Sequence, residues 1–493
     1  MDSHSIRTMR TIGPDQSAWV VLVFGAILSA AMVFGFPDDI GAKILAMAVF
    51  WCFSLISVRA DLTHPFVWFG GTFLLYSISG PLLFHLGLHP NSVWGGMLIE
   101  ELDFNFAMDL QYLAFVIVCA VIGPRRVALE PVLRDRRILA LSGSVTPVLG
   151  AAMLVALIGV IEVLSQGFTQ KIDIILYGSW ATRLGFGLHM TATCVAVYLI
   201  KLFVEGKRPA AYTAIICFAT IGVIIVTLIG ERNFLFRFLV IALLVVHIAH
   251  RKISFSTFVS LAVVASLLIA VMGGLKMAAV SDEVFGPIAP SFEELVGLSG
   301  VQDNPSVVND STPVLYSKIL LVMALGHEFM TAGNNLAMVV TRVPYDVPFQ
   351  NGWTLINDVV RAVQPGFLVR QDANNTTFIY NRLFFPVNSE RGGGQGFSFV
   401  GTGFLNFGIF GVILVMLAFG AAVRVAYRWA AKSPLGLAFL LGFIPVAMQA
   451  ARGDLSGPIS QSLKHVLLPL LAMMAISHFT ARRTAAQEIA SAG

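Results

Sequence analysis

Long apolar runs recur along almost the whole chain. A transmembrane helix needs about 20 mostly apolar residues. Only 12% of the 493 residues are charged, and the mean hydropathy is +0.80, whereas soluble domains carry roughly 25% charged residues. We therefore predict an all-α polytopic integral membrane protein with about twelve transmembrane helices, near residues 18–36, 41–58, 65–85, 106–123, 144–165, 185–204, 210–230, 234–249, 255–279, 398–423, 435–450 and 461–479.

The basic residues indicate how these spans are oriented, because short cytoplasmic loops are enriched in Lys and Arg. Both terminal tails and every second connection are basic, whereas the alternate loops are acidic or mixed, as in PDDIG at 37–41 and EELD at 100–103. We therefore expect both termini in the cytoplasm and the alternate loops on the outer side of the membrane. The N-terminus shows no cleavable signal pattern. The net charge of +4 is too small to say anything about nucleic acid, and we expect no nucleic-acid partner.

The longest connection, residues 280–397, falls on the outer side and divides the chain into three parts. Residues 1–279 would hold nine spans, and residues 398–493 would hold three spans and a cytoplasmic tail. The loop contains helical patterns at Thr312–Arg342 and in GWTLINDVVRAVQPG at 352–366. A long loop with folded elements of its own is usually functional. We expect interfacial helices that lie on the outer surface or dip into it.

Charged residues interrupt the apolar sequence at the outer end of the seventh predicted span, where GERNFLFRF begins at Gly230. Arg237 would lie nearly one helical turn deeper, which costs on the order of 3 kcal/mol unless the charge meets a partner or a hydrated cavity. Glu231 and Arg232 fit two interpretations. They are interfacial side chains that extend to the headgroups, or they belong to an anion site, since Arg suits bidentate contact with phosphate.

Further cations fall on the same predicted side of the membrane and favour the anion site. Lys276 follows two glycines near the end of the ninth span, and Arg452 begins the turn ARGDLSG between the last two spans. The long loop adds three more, Arg370, Arg382 and Arg391. The Gly-rich RGGGQGFSFVG at 391–401 offers backbone amides, but no Lys-Ser/Thr follows as in a P-loop. Flexible access to the next helix explains this stretch equally well.

His327 and Glu328 interrupt the apolar run MALGHEFM. His carries protons near neutral pH, and Glu serves as a general base when burial raises its pKa. The pattern does not continue to HExxH, because residue 331 is Thr, so a metalloprotease is excluded. A hydrogen-bonded interfacial histidine is the alternative for His327. The four cysteines all fall inside apolar runs and indicate neither disulfides nor a metal site.

Five stretches of the chain together resemble the O-antigen polymerase family, and among its members the enterobacterial common antigen polymerase. These stretches are GERNFLFRFLVIALLVVH, GLK, GHEFMTAGNNLAMVV, GTGFLNFGIFGVILVMLAFG and ARGDLSGPISQSL. The resemblance covers roughly residues 210–480. It implies an oligosaccharide repeat unit polymerase, similar in fold to the GT-C class of lipid-linked glycosyltransferases. Such an enzyme moves the growing glycan from undecaprenyl pyrophosphate to the non-reducing end of a new lipid-linked unit, at the periplasmic face.

The resemblance also assigns residues to roles. Arg232, Lys276 and Arg452 match cationic positions of the family, and Arg370 falls near another, so these four are the expected pyrophosphate contacts. Glu328 or His327 is the expected catalytic base, although a relative has Arg-Asp there. Relatives often carry an uncharged residue in place of Glu231. Glu231, Arg382 and Asp454 are expected glycan contacts. We expect no metal and no cofactor. Membrane lipids and a chain-length regulator are the other expected partners.

Two other functions fit the same pattern. An O-antigen ligase uses the same donor but transfers to the lipid A core. A secondary transporter or flippase also fits twelve spans with both termini inside, although transporters typically show repeated halves and mid-membrane sites. The sequence shows no half-repeat, and its charges cluster at one face.

Overall fold

The structure is a computed structural model that describes residues 16–88, 93–94, 97–98, 100–133, 135, 143–165, 188–229, 232–264, 321, 325, 329–364, 375–386, 389 and 396–492. Over these residues it is helical, apart from a two-residue antiparallel pair, β1 (Val93–Trp94) and β2 (Met97–Leu98).

The helices of the first part are α1 (Gln16–Gly35), α2 (Ile40–Ser57), α3 (Pro65–His85), α4 (Glu101–Ile122), α5 (Glu130–Leu133), α6 (Val145–Ser165), α7 (Leu188–Val204), α8 (Arg208–Ile229), α9 (Arg232–Ala249) and α10 (Phe255–Val264). The later helices are α11 (Met330–Arg342), α12 (Trp353–Val363), α13 (Thr376–Phe384), α14 (Phe399–Ala430), α15 (Pro434–Gln449), α16 (Ser456–Gln461) and α17 (Leu468–Ala492). A 3-10 turn, Ala450–Arg452, ends α15, and a π-helical turn, Ser462–Leu467, joins α16 to α17.

The helices confirm a polytopic membrane protein. Within the described ranges, seven helical segments are long and apolar enough to cross a membrane, and several shorter apolar helices accompany them. Eleven of the predicted spans coincide with a described helix, and the twelfth, 255–279, is described only to Val264. The total of twelve spans and the division of the chain at 279 and 397 stay predictions.

The basic connections gather at one end of the bundle. The Trp19 ring, near the start of α1, packs against Gly123 just after α4. The amide of Val127 donates to the Tyr427 hydroxyl, near the end of α14, over 3.2 Å. We call this end the inner end, following the charge pattern, and the opposite end, where α3 and α15 finish, the outer end.

Of the helices in the long loop, α11 is buried within the bundle. All residues from Met330 to Val340 are buried, and α11 packs against α3, α4 and α14. The helix therefore dips into the protein, the second of the two placements that its amphipathic sequence predicts. The side-chain amide of Asn335 donates to the carbonyl of Gly396, which ties α11 to the end of the Gly-rich stretch.

Helix α14 is two helical pieces folded back on each other, and this corrects the start of the span expected at 398–423, because the long piece begins only after Gly408. Phe407 and Gly408 leave the helical region, and Gly408 has a φ of +61°, which L side chains rarely adopt. A methyl group on Gly403 would lie 2.6 Å from the Gly411 carbonyl oxygen. The Phe399 and Phe419 rings meet at 4.9 Å, although 20 residues of straight helix would separate them by about 30 Å.

We call this fold-back the outer hairpin, with its tip at residues 406–408. The turn before α12 satisfies the backbone groups that the break exposes. The amides of Gln350 and Asn351 donate to the carbonyls of Leu405 and Asn406, over 3.0 and 3.2 Å. The side chain of Asn406 accepts from the Gly352 amide at 3.1 Å. The break is therefore a defined structural element in which free carbonyls find partners.

Candidate functional site

Most of the residues predicted for the site lie outside the part of the chain that the structure describes. This applies to Glu231, Lys276, His327, Glu328 and Arg370. Arg232 is the first residue of α9, and its side chain is also outside the description. Their roles stay predictions. The three whose side chains are described are Arg382, Arg452 and Asp454.

Arg452 lies against the Gly-rich stretch. It ends the 3-10 turn after α15 and is partly buried. A methyl group on Gly396 would lie 3.0 Å from the Arg452 carbonyl oxygen and 3.3 Å from its Nε atom. The structure thus brings together the last glycine of RGGGQG and a cation that the sequence assigns to pyrophosphate. Only a residue without a side chain fits this approach comfortably.

The turn that carries Arg452 is recessed below the tip of the outer hairpin. Ala450 and Ala451 line the same small crevice as Phe399 and Met416. Met416 is eight residues along the helix from Gly408, which corresponds to about 12 Å at 1.5 Å per residue. The sequence predicts a short turn at the outer surface. In the structure the turn instead begins beside Met416, on the second, longer piece of α14, about 12 Å below the hairpin tip.

Asp454 joins this turn to the start of α13. The carboxylate is buried and accepts four hydrogen bonds. The Asn375 side chain donates to it over 2.6 Å and the Thr377 amide over 3.0 Å. The Ser456 hydroxyl and the Gly457 amide donate over 2.6 and 3.2 Å. These bonds give Asp454 a structural role, whereas its predicted glycan contact is untested.

Asp358, on α12, forms the second half of the same cluster. Its two oxygens accept from the amide and the hydroxyl of Thr376, both at 2.7 Å. Arg361, one turn later, donates to the Asn375 side-chain oxygen over 3.1 Å. We call Asp358, Asn375, Thr376, Thr377, Asp454 and Ser456 the carboxylate lock, because it joins α12, α13 and the turn after α15.

The lock contains a carboxyl group that titrates near neutral pH. Burial, and after it the negative charge of Asp454, raise the pKa of Asp358 to about 7, against the opposing effect of the Thr376 hydrogen bonds. The Asp358 side chain is fully buried and both oxygens are occupied by Thr376. It is therefore placed to hold α12 in position, and an acceptor hydroxyl cannot reach it in this arrangement.

Arg237 meets the partners that its depth requires. The guanidinium is buried and donates to the Gln449 side chain over 2.7 Å and to that of Gln461. It thereby ties α9 to the ends of α15 and α16. Arg232, five residues earlier on the same helix, begins about 7.5 Å nearer the outer end. Arg382, by contrast, is exposed in the last turn of α13.

Sequence reasoning missed Asp358 and its partners. Two signals pointed to them. Asn375 precedes Thr376 and Thr377 and caps α13, accepting from the Phe378 amide over 3.1 Å, and Asn is a preferred N-cap residue. Asp358 stands in a strongly amphipathic helix. The contact between them joins distant segments, which no local pattern indicates. Among the described residues, no group of three or more His, Cys, Asp or Glu side chains is placed to hold a metal ion.

The fold and the site together define a polytopic membrane protein with charged and polar side chains buried near one end of its helices. Residues 369–484 match the model of a family described as O-antigen polysaccharide polymerase Wzy. This match covers α13, the outer hairpin, Arg452 and Asp454, and it confirms the resemblance to O-antigen polymerases. The resemblance to the enterobacterial common antigen polymerase stays a prediction. No curated protein and no solved structure matches the chain.

Proposed function

We propose that this protein polymerises a bacterial surface polysaccharide at the periplasmic face of the inner membrane, with both termini in the cytoplasm. In the proposed reaction, the growing glycan leaves undecaprenyl pyrophosphate and joins the non-reducing end of a new lipid-linked repeat unit. The observation that carries the proposal is the family match over 369–484, the same segment in which Gly396 packs against Arg452. A chain-length regulator is a further expected partner.

The chemistry of the donor suits a recessed cationic site. Pyrophosphate is an activated leaving group, so catalysis mainly requires cations that stabilise the departing charge and a base for the acceptor hydroxyl. Arg452 is partly buried beside a stretch rich in glycine, and a charge pair away from water attracts more strongly than an exposed pair. We assign pyrophosphate contact to Arg452, with Arg232, Lys276 and Arg370 as further contacts.

The base remains assigned to Glu328 or His327, which precede the buried helix α11. Asp358 has a pKa suited to such a role, but both of its oxygens are held by Thr376. We therefore assign it to positioning. In this scheme the base takes a proton from the acceptor hydroxyl, the hydroxyl oxygen bonds to the donor's anomeric carbon, and undecaprenyl pyrophosphate departs.

The test uses cells that lack the gene and carry plasmid copies of the wild type, Arg452→Ala, Arg452→Lys or Arg251→Ala. Arg251 is the matched control, since it is exposed and outside the proposed site. On a lipopolysaccharide gel, we expect Arg452→Ala to leave lipid A core capped with a single unit. Arg452→Lys should restore part of the ladder, because Lys keeps the charge but not the bidentate geometry. A wild-type ladder from Arg452→Ala at equal membrane levels contradicts the assignment.

The reaction class needs a separate measurement. Purified protein in liposomes receives lipid-linked repeat units, with either more of the same units or lipid A core as acceptor. Polymer on the lipid carrier is the expected product. Transfer only to lipid A core would identify a ligase instead. Movement of the lipid-linked unit across the bilayer without any glycosidic bond formation would identify a transporter.

A further inference from the structure

The second loop helix, α12, exposes its apolar side and buries its polar side. Five large apolar side chains are exposed, at 44–62% of their surface: Trp353, Ile356, Val359, Val360 and Val363. The buried residues are Thr354, Asp358 and Ala362. A helix on the surface of a water-soluble protein shows the opposite arrangement. The exposed side of α12 therefore calls for an apolar neighbour.

The position of α12 places that side beside the upper part of a transmembrane helix. Its N-terminus is held at the tip of the outer hairpin by the bond from the Gly352 amide to Asn406. Near its other end, Arg361 reaches Asn375, which in turn binds Asp454 in the recessed turn. The turn starts about 12 Å below the tip. Helix α12 thus descends from the tip along the outer half of the protein.

The exposed apolar side of α12 continues onto the second, longer piece of α14. The Phe407 ring packs against Gly352 immediately before α12 and is itself 37% exposed. The second piece of the hairpin then exposes Ile409, Phe410, Leu414 and Leu417. In a chain that crosses the membrane, such residues on a span face acyl chains. The exposed sides of α12 and of the second piece of α14 therefore lie side by side, over the same distance below the hairpin tip.

We propose that α12 is inserted in the outer leaflet of the membrane and that lipid acyl chains cover its exposed apolar side. The helix then separates the carboxylate lock from the lipid. Its polar side holds Asp358 against Thr376 while Ile356 and Val360 face the hydrocarbon. Amphipathic helices bind membranes in this manner through buried apolar area. The inference is independent of which reaction the site performs.

The first test measures the fluorescence of Trp353 in nanodiscs of ordinary phosphatidylcholine and of phosphatidylcholine brominated along its acyl chains. The wild type is compared with Trp353→Phe, and the difference isolates one indole among seven tryptophans. We expect bromine to quench most of this difference emission. A difference emission that brominated lipid leaves unchanged, but that aqueous iodide quenches, overturns the proposal.

A second test covers the rest of the helix. Spin labels are placed on single cysteines at Ile356 or Val360, with the four native cysteines replaced. Leu414 serves as the control in lipid, and Lys207, exposed in a connection at the inner end, as the control in water. Greater relaxation by oxygen than by a water-soluble nickel chelate, as at Leu414, supports acyl-chain contact. Greater relaxation by nickel, or spin–spin broadening between two copies, contradicts it.

Discussion

The raised pKa of Asp358 predicts how the stability of the protein depends on pH. The pKa of this carboxyl is about 7 in the folded protein but returns to its ordinary value of 3.8 when the chain unfolds. Between these values the folded state binds more protons, so the free energy of unfolding falls as pH rises and levels off above the folded pKa. With about 1.4 kcal/mol per pKa unit, Asp358 contributes a loss of about 2–3 kcal/mol between about pH 5 and about pH 8.

Asp358→Asn removes this term and keeps the local bonding. The Asn oxygen accepts from the Thr376 amide, and its NH₂ group donates to the Thr376 hydroxyl, as a protonated Asp358 would. We therefore expect the variant to be the more stable protein at about pH 5 already, and its advantage over the wild type to grow by about 2–3 kcal/mol between about pH 5 and about pH 8. The measurement is unfolding in detergent micelles, followed by circular dichroism, with the difference between the two proteins taken at each pH.

The matched control is Asp346→Asn, which makes the same substitution at a carboxylate that is 64% exposed and paired with Arg342. Its difference from the wild type should not change with pH as that of Asp358→Asn does, because an exposed pair contributes little. If Asp358→Asn keeps the full pH dependence of the wild type, burial of an ionisable carboxyl in the lock is refuted.

Two more substitutions test buried polar groups. Asp454→Asn should lower the free energy of unfolding by about 2–4 kcal/mol, because an NH₂ group replaces an oxygen that accepts two hydrogen bonds. Thermal unfolding measures this loss, with Asp346→Asn as the control. Arg237→Met should cost about 1–3 kcal/mol, because the oxygens of Gln449 and Gln461 lose a buried donor. Unchanged thermal stability in Arg237→Met would contradict the view that these bonds hold α9 to the last two spans.

The spans could be predicted from sequence because the hydropathy of a short segment alone indicates whether that segment can cross a membrane. Roughly 20 apolar residues are enough to indicate a membrane helix, wherever the rest of the chain goes. The same local reading fails at the outer hairpin. Residues 398–423 are mostly apolar and carry no charge, so a hydropathy window cannot distinguish one span from two pieces that reverse at Gly408. The signal was the group Asn406–Phe407–Gly408, in which an amide side chain and a glycine stand together.

The site was only partly predictable for a related reason. Arg452 stands out in sequence because a cation between two apolar spans requires an explanation, and Arg237 stands out in the same way. The hydrogen-bond partners of a buried group do not stand out in the sequence. Asp358 and Asp454 approach Thr376 and Asn375 only after α12, α13 and the turn after α15 have packed together. Sequence reasoning therefore finds the charge but not the hydrogen bonds that hold it.

The contact between Gly396 and Arg452 yields the sharpest test of the site's geometry. A methyl group in Gly396→Ala would lie 3.0 Å from the Arg452 carbonyl oxygen and 3.2 Å from its Cγ atom, so this turn must shift by a few tenths of an ångström. If Arg452 positions the pyrophosphate, polymer output should fall by about 3- to 10-fold, since small displacements of reacting groups are costly. Gly150→Ala is the control, because a methyl group there meets nothing within 4 Å. Polymer ladders of equal length from both variants, at equal membrane levels, would show that the position of Arg452 does not limit the reaction.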